Sequence, residues 1–341
     1  MKRSLPHFLK VLSPGRDLTE SEAVEFFEAL QAEIEDENMI AAALTAFEAK
    51  GSTVDEIFAM AKLMRERAVR VSSKHKTFVD VVGTGGSKAK TFNVSTAAAF
   101  VIAGAGLPVA KHGNRAATSK SGSADVLAIL GVNPAVEAQK AEECLNEIDI
   151  CFMFAPKFHA LSPVLGKVRR ELGIPTIFNN LGPLSNPAGA PHQVIGVWKH
   201  DLVERTARVL ARLGTEKSWV VHGSDGLDEI SLGGETFVAE IAEGEVIFFQ
   251  ISPRDFGLKN SASVNFPKCS AEESAKLITE IFTGEKRHEN GRNLILINAA
   301  AAIYVAGRAV NLRDAFDSAK ASLDEGKALE KLQQLVEFTN L

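Results

Sequence analysis

Several features that mark special classes of protein are missing from this 341-residue sequence. Its three cysteines include no Cys-x-x-Cys pair, which favours a reducing compartment and argues against a disulfide framework or a structural zinc site. The longest apolar runs, residues 97–110 and 294–307, are too short to span a bilayer. The first ten residues lack the apolar stretch of a secretion signal. The sequence therefore predicts a cytoplasmic protein with no membrane partner.

An excess of basic residues is missing too. The chain has 38 Lys and Arg against 43 Asp and Glu, a net charge of −5 at pH 7. A protein that binds nucleic acid by neutralising many phosphates is normally basic, so we expect no nucleic-acid partner. The composition, 45% hydrophobic and 24% charged, is near the average of soluble globular proteins. At roughly 150 residues per domain, it predicts about two domains.

The hydrophobic pattern changes near residue 78. Residues 1–72 show helical spacing, with the capping-box pattern of Thr19 and Glu22 before one helix, and predict a small helical unit. From residue 78 onward, short β-branched runs that end in glycine-rich loops alternate with helical segments, a rhythm typical of a parallel α/β sheet. The predicted strands are residues 78–82, 107–111, 150–154, 194–198, 218–222, 236–242 and 245–252.

The predicted fold is therefore of the α/β class. It combines a small all-helical domain with a large α/β domain, in which a mostly parallel central sheet is flanked by helices. The stretch at residues 179–191 is rich in glycine, proline and asparagine, and it is the best candidate for a hinge between the two.

The first segment that carries chemistry is Gly-Thr-Gly-Gly-Ser at residues 83–87, directly after a predicted strand. Glycines there let backbone N–H groups approach an anion, and the following helix start adds a favourable dipole and the hydroxyls of Ser95 and Thr96. A tight turn and an ordinary helix cap would use the same residues. The segment matches neither the dinucleotide nor the Walker A pattern, which disfavours ordinary NAD or ATP sites.

A second segment, residues 111–119, follows the next predicted strand and crowds Lys111, Arg115 and two hydroxyls around a glycine turn. Ligands of open α/β sheets bind at the carboxyl ends of the strands, so this pattern predicts an anion-binding loop, with a solvated charged loop as the alternative. Ser123 lies close enough in sequence to join the site. His112 is a candidate general base or a packing residue, because its basic neighbours favour the neutral imidazole.

A third segment, residues 225–229, places Asp228 and Glu229 just after another predicted strand. Such carboxylates are the hard oxygen ligands that Mg²⁺ prefers, although an acidic turn would look the same. Together with the two anion loops, they predict a site for a polyphosphate–Mg²⁺ substrate. A weaker candidate is the stretch from Pro156 to His159 with Arg169, which could frame a planar carboxylated molecule or lie on a solvated helix face.

These segments together resemble a known family. GTGGSKAKTFNVST, KHGNRAATSKSGSAD, NLGPLSNP and HGSDGLDE are similar to signature motifs of the anthranilate phosphoribosyltransferases, and the resemblance covers nearly the whole chain. It implies a nucleoside phosphorylase-like, class IV phosphoribosyltransferase fold with the site in a cleft between two domains. It also implies a homodimer through a helical domain of residues 1–72. Residues 73–164 and 189–341 would form the α/β domain, and residues 165–188 would return to the helical domain and the hinge.

The resemblance implies transfer of the phosphoribosyl group of 5-phosphoribosyl 1-pyrophosphate to the amine of anthranilate, in tryptophan biosynthesis, with two Mg²⁺ per monomer. No covalent nucleophile or base is expected, and Lys111 would stabilise charge. The residues expected to bind phosphoribosyl pyrophosphate are Gly83, Gly86, Ser87, Thr91, Asn93, Val94, Ser95, Thr96, Lys111, His112, Gly113, Asn114, Arg115, Ala116, Ala117, Thr118, Ser119 and Ser123. Those expected to bind anthranilate are Gly83, Asn114, Pro156, His159 and Arg169. Those expected to bind metal are Ser95, Asp228 and Glu229.

The first motif departs from the family pattern at one position. The family commonly has Asp after Gly-Thr-Gly-Gly, whereas this chain has Ser87 followed by Lys88. Asn180 also replaces a residue that is usually apolar. The departure at Ser87 leaves three alternatives open: a paralogue with another aromatic acceptor, a nucleoside phosphorylase without need of the carboxylate pair, and a non-catalytic paralogue that binds nucleic acid.

Overall fold

The N-terminal part of the chain forms a helical bundle in the computed structural model, which describes residues 3–32, 36–87, 89, 91–116, 121–259, 269–285 and 288–341. Its helices are α1 (Leu5–Leu12), α2 (Glu20–Gln31), α3 (Glu37–Lys50) and α4 (Val54–Arg67). The predicted capping box begins α2, because Thr19 N donates to the Glu22 carboxylate (3.1 Å) and Glu22 N donates to Thr19 Oγ1 (3.3 Å). Phe26 of α2 stacks on Phe47 of α3 in the bundle core, with ring centroids 5.3 Å apart.

A seven-stranded sheet organises the rest of the described chain. Its strands are β1 (Val79–Gly83), β2 (Val109–Gly113), β3 (Ile150–Phe154), β4 (His192–Gly196), β5 (Lys217–Gly223), β6 (Thr236–Ala242) and β7 (Glu245–Ile251). Their order across the sheet is β3-β2-β1-β4-β5-β6-β7. The first five strands in this order pair in parallel, whereas the β5–β6 and β6–β7 pairs are antiparallel. Every predicted strand is confirmed, and no bound differs by more than two residues.

Helices cover both faces of the sheet. They are α5 (Val94–Gly104), α6 (Ser123–Ile129), α7 (Ala138–Ile148), α8 (Ala155–Phe158), α9 (Pro163–Leu172), α10 (Ile177–Leu184), α11 (Asp201–Arg212), α12 (Ala271–Phe282), α13 (Glu289–Val305), α14 (Leu312–Asp324) and α15 (Lys327–Asn340). Adjacent residues of β4, Val194 and Ile195, pack into separate apolar clusters on opposite faces. Parallel strands that are buried on both faces need continuous apolar runs, which is the pattern the sequence showed. In the described part of the chain, no helix has the length and apolarity to span a bilayer.

Helices α9 and α10 pack against the N-terminal bundle. They share its apolar cluster, and Phe178 of α10 lies 5.7 Å from Phe27 of α2 between ring centroids. Arg65 of α4 donates to the carbonyl of Leu184 at the end of α10 (2.6 Å). The sequence predicted a hinge at residues 179–191, but its first six residues continue α10. The helix starts earlier because Thr176 N donates to Asn179 Oδ1 (3.0 Å), which satisfies a backbone group at its N-terminus.

Candidate functional site

A cleft of about 260 Å³ opens at the carboxyl ends of the parallel strands. Residues of the loops after β1, β2 and β5 line one side, and α4, α9 and α10 line the other. The parallel sheet thus brings the three segments that carried chemistry in the sequence to one edge, as expected for an open α/β sheet.

Most of the predicted site residues line this one cleft. From the phosphoribosyl pyrophosphate set, they are Gly83, Asn93, Ser95, Thr96, Lys111, His112, Gly113, Asn114, Arg115, Ala116 and Ser123. From the anthranilate and metal sets, they are Gly83, Asn114, His159, Arg169, Ser95, Asp228 and Glu229. Those outside the lining are Gly86, Ser87, Thr91, Val94 and Pro156, and those outside the described residues are Ala117, Thr118 and Ser119. The ligands assigned to these residues remain predictions.

Glycines at the strand ends make room for the acidic loop after β5. A Cβ atom on Gly196 would lie 1.7 Å from the backbone oxygen of Asp228, and one on Gly83 would lie 2.9 Å from its carboxylate. Gly85 N donates to Asp228 Oδ2 (2.9 Å) from a backbone with φ of +71°. The glycines after β1 therefore allow the acidic loop to approach closely, in addition to any role in binding an anion.

A lysine that lines the cleft and an aspartate that does not are both buried. Lys111 Nζ donates to Val81 O (2.6 Å) and to Ser95 Oγ (3.3 Å), and burial lowers the pKa of Lys111 to about 8 against the opposing charges of Asp80 and Glu229. Burial raises the pKa of Asp80 to about 6, although the Lys111 charge and hydrogen bonds oppose the shift. Sequence reasoning missed Asp80, whose signal was a carboxylate inside an apolar strand.

Asp228 and Glu229 place two half-buried carboxylates side by side in the lining of the cleft. Burial, and then the charge of Asp228, raise the pKa of Glu229 well above its usual range, while a hydrogen bond from Thr91 Oγ1 (3.4 Å) opposes the shift. Ser95 Oγ faces the same cleft. Adjacent carboxylates with a hydroxyl form a hard-oxygen donor set, and a divalent cation would remove the repulsion between them. These residues fit Mg²⁺.

Two histidines that line the cleft pack edge to face. The ring centroids of His112 and His159 are 5.0 Å apart, and His112 Nδ1 lies 3.0 Å from the carbonyl of Gly182. Burial lowers the pKa of His112 to about 3 and that of His159 to about 4, so both rings are neutral at pH 7. Since a carbonyl only accepts, His112 Nδ1 carries the proton, and Nε2 presents a lone pair.

Arg169 is a nearly desolvated cation in the wall of the cleft. Its guanidinium lies 4.8 Å from the centroid of the Phe178 ring, and burial lowers its pKa to about 10. Its Nε is buried and has no hydrogen-bond partner among the residues that the structure describes. A partly buried cation beside an aromatic ring, with a donor that no described residue accepts from, is suited to a carboxylate.

Several lining residues were not foreseen from the sequence. They are Met64, Val82, Thr84, Gly85, Phe92, Ser121, Gly122, Ala155, Leu161, Phe178, Asn179, Gly182 and Pro183. Asn179 Nδ2 donates to the carbonyl of Thr84 (3.0 Å) and so ties α10 to the loop after β1. The available signal was the stretch at residues 179–191, but its interpretation as a hinge did not predict these contacts.

Comparisons with known proteins place the chain in a family. A family model described as "Glycosyl transferase family, a/b domain" matches residues 75–329, and one described as "Glycosyl transferase family, helical bundle domain" matches residues 6–68. The anthranilate phosphoribosyltransferase of Pelotomaculum thermopropionicum is 45% identical over 97% of this chain and 95% of its own length. That of Afipia carboxidovorans is 46% identical over 96% of each. The chain belongs to the anthranilate phosphoribosyltransferase family.

Solved structures of anthranilate phosphoribosyltransferases share the whole fold. The Thermus thermophilus enzyme superposes with a TM-score of 0.86 at 36% identity, over 98% of this chain and 99% of that one. The Saccharomyces cerevisiae enzyme, in complex with PRPP and Mg, superposes with a TM-score of 0.85 at 28% identity, over 98% of each chain. The resemblance and the fold class predicted from the sequence are therefore confirmed, and the protein is an enzyme of a glycosyltransferase family.

Proposed function

We propose that this protein transfers the phosphoribosyl group of 5-phosphoribosyl 1-pyrophosphate to the amine of anthranilate. The products are N-(5-phosphoribosyl)anthranilate and pyrophosphate, in tryptophan biosynthesis. The observation that carries the proposal is the convergence of Lys111, the Asp228–Glu229 pair and the buried Arg169 on one cleft. Two structures of the Saccharomyces cerevisiae relative support the choice of substrates. One contains PRPP and Mg, and another contains 4-fluoroanthranilate.

The metal site is proposed at the acidic end of the cleft. Ser95 and Glu229 would hold one Mg²⁺, and Asp228 with Glu229 would hold a second. When bound, Mg²⁺ supplies charge neutralisation for the departing pyrophosphate. The raised pKa of Glu229 supports the assignment, because burial and the neighbouring Asp228 charge outweigh the opposing charge of Lys111, and a divalent cation would relieve both.

The anthranilate site is proposed at the other end, around Arg169. Its guanidinium would pair with the anthranilate carboxylate, with Gly83, Asn114 and His159 beside the ring. Pro156 would lie in the entry channel. The contact with Phe178 supports this placement, because the ring lies 4.8 Å from the guanidinium and limits where it can move.

The chemistry demands charge stabilisation more than a strong base. An aryl amine is neutral at pH 7 and attacks without prior deprotonation, so the difficult event is departure of pyrophosphate from an oxocarbenium-like carbon. Lys111 and the backbone N–H groups of the glycine loop would stabilise the leaving group. No side chain is assigned as a base. Neutral His112 would contribute a lone pair on Nε2, which can accept a hydrogen bond.

The division of the chain follows the same proposal. Residues 1–72 would form the helical dimerisation domain of a homodimer. Residues 73–164 and 189–341 would form the α/β domain, and residues 165–188 would return to the helical one. The packing of α9 and α10 on the bundle supports that return.

An acceptor panel tests the substrate. Pyrophosphate release is measured with anthranilate, with benzoate, which lacks the amine, and with aniline, which lacks the carboxylate. The proposal expects release with anthranilate alone. Equal release with aniline would indicate another aromatic acceptor, and phosphorolysis of a nucleoside without Mg²⁺ would indicate a nucleoside phosphorylase.

A further inference from the structure

Two loops meet at the acidic end of the cleft. The glycine loop is defined as residues 83–91, of which 88 and 90 lie outside the described part, and the acidic loop as residues 223–231. Gly85 N donates to Asp228 Oδ2 (2.9 Å), and Thr91 Oγ1 has two acceptors, Phe92 O (3.1 Å) and Glu229 Oε2 (3.4 Å). Ser87 Oγ donates to the backbone carbonyl of Gly226 (2.7 Å). The bonds to Asp228 and Glu229 reach carboxylate side chains, while the bond from Ser87 holds the acidic loop by its backbone.

Ser87 is placed to hold a loop rather than to touch a ligand. Its side chain is buried at 2% exposure and does not line the cleft. The carbonyl of Ala89 is a second, longer acceptor at 3.1 Å, so the single hydroxyl proton favours Gly226. A residue that is shut away from the cleft cannot contact phosphoribosyl pyrophosphate without a rearrangement of its loop.

The carbonyl that Ser87 holds belongs to a tight turn. Gly226 has a φ of +84°, its N–H donates to Gly223 O (2.8 Å), and Gly223 N donates to Leu227 O (2.9 Å). Asp228 and Glu229 follow this turn directly. A shift of the turn therefore moves both carboxylates relative to Ser95 on the other side of the site.

We propose that Ser87 is a positioning residue that fastens the acidic loop to the glycine loop and so sets the spacing of Asp228 and Glu229 for a divalent cation. The inference rests on the proposed function, since it concerns the metal site assigned there. It also gives a physical meaning to the departure from the family pattern. An ionised Asp at this position has no proton to donate to a carbonyl, whereas the serine hydroxyl has one.

The test compares two serine variants. Ser87→Ala removes the hydroxyl proposed to fasten the loop. Ser322→Ala is the matched control, because Ser322 is also 2% exposed and its hydroxyl donates to a backbone carbonyl, Val101 O, at the same 2.7 Å. Amide hydrogen exchange of a peptide spanning residues 223–231 is measured in metal-free protein, and the dissociation constant of Mn²⁺ is measured by electron paramagnetic resonance.

We expect Ser87→Ala to speed exchange in the acidic loop and to weaken Mn²⁺ binding by about five- to tenfold, the value of one hydrogen bond. The Mg²⁺ concentration for half-maximal activity should rise by the same factor. The kcat at saturating Mg²⁺ should stay at the wild-type value. Ser87→Cys, with a weaker donor of similar size, should give a smaller change in the same direction. Ser322→Ala should leave exchange in the loop and Mn²⁺ affinity at wild-type values.

Wild-type exchange and Mn²⁺ affinity in Ser87→Ala would overturn the inference. A drop in kcat at saturating Mg²⁺ with no change in metal affinity would also overturn it, because it would put Ser87 in contact with the substrate. Failure of the wild-type protein to bind Mn²⁺ would instead contradict the proposed metal site, and the exchange measurement would still decide whether Ser87 fastens the loop.

Discussion

At the scale of single residues, the cleft is a place where ionisable groups are deprived of water. Burial lowers the pKa of Lys111 to about 8 and that of Arg169 to about 10, and it raises the pKa of Glu229. Burial disfavours the charged form of each group, and under the proposed function each would meet a partner of opposite charge: a phosphate, a carboxylate or a cation. The net charge of −5 therefore says little about the ligand, because the local balance decides what binds.

The buried cation Arg169 gives a prediction for acceptor binding. Arg169→Ala should raise the KM for anthranilate about 10²-fold, because it removes a desolvated charge pair worth about 3 kcal/mol. Arg170→Ala, next to it on α9 but exposed, is the control and should leave the KM within twofold. Steady-state kinetics at saturating phosphoribosyl pyrophosphate measure both. An equal rise in the two variants would refute the assignment of Arg169.

The histidine pair gives a prediction for stability against pH. An unfolded imidazole titrates near pH 6.5, whereas the folded pKa values of His112 and His159 are about 3 and about 4. Between these values the unfolded chain binds more protons, so the free energy of unfolding should fall as the pH drops below about 6.5. Each histidine adds at most about 1.4 kcal/mol per pH unit to the slope of the free energy of unfolding against pH. Asp80, with a raised pKa of about 6, opposes this slope between about pH 4 and 6.

Urea unfolding of the wild type and of His159→Asn, from pH 7 to pH 4.5, measures the contribution of the pair. The variant should lose less stability than the wild type over this interval. His7→Asn, at an exposed position, controls for the substitution itself. A steeper loss in His159→Asn than in the wild type would contradict the burial argument.

At the scale of elements, the sequence predicted what local pattern determines. Seven strands, the capping box of α2 and the three loops at the strand ends all follow from short-range periodicity and residue type. It did not predict that Gly196 admits the backbone of Asp228, or that Phe178 and Asn179 lie in a helix that faces the glycine loop. Those contacts join segments far apart in sequence, and one sequence carries no record of such pairings.

The close approach of β4 to the acidic loop gives a prediction for that element. Gly196→Ala should lower the free energy of unfolding by about 1–3 kcal/mol, because its Cβ would overlap the backbone oxygen of Asp228. Turnover should fall as well, since the displaced loop carries Glu229. Gly166→Ala, inside α9 with 3.6 Å to its nearest neighbour, should instead add up to about 1 kcal/mol. Urea unfolding and activity assays compare the two, and a stable, active Gly196→Ala protein would disprove the close approach.

At the scale of the whole molecule, the cleft exists because the chain crosses between two bodies of structure. The sheet supplies the anion loops and the acidic pair, while α4, α9 and α10 supply the opposite wall with Arg169. Residues far apart in the sequence thus line one cleft. The sheet's contribution could be anticipated from the loops that follow the predicted parallel strands, whereas the opposite wall depends on the packing of α9 and α10 against the bundle.

The proposed reaction is phosphoribosyl transfer to anthranilate at a site that contains Glu229. Its most direct test mixes micromolar protein with phosphoribosyl pyrophosphate, Mg²⁺ and anthranilate, and follows the loss of anthranilate fluorescence. We predict a loss that requires Mg²⁺ and that slows about 10³-fold in Glu229→Gln. Glu235→Gln, an exposed carboxylate outside the cleft, should react as the wild type does. No fluorescence loss with the wild type, or near-normal turnover in Glu229→Gln, would contradict the account.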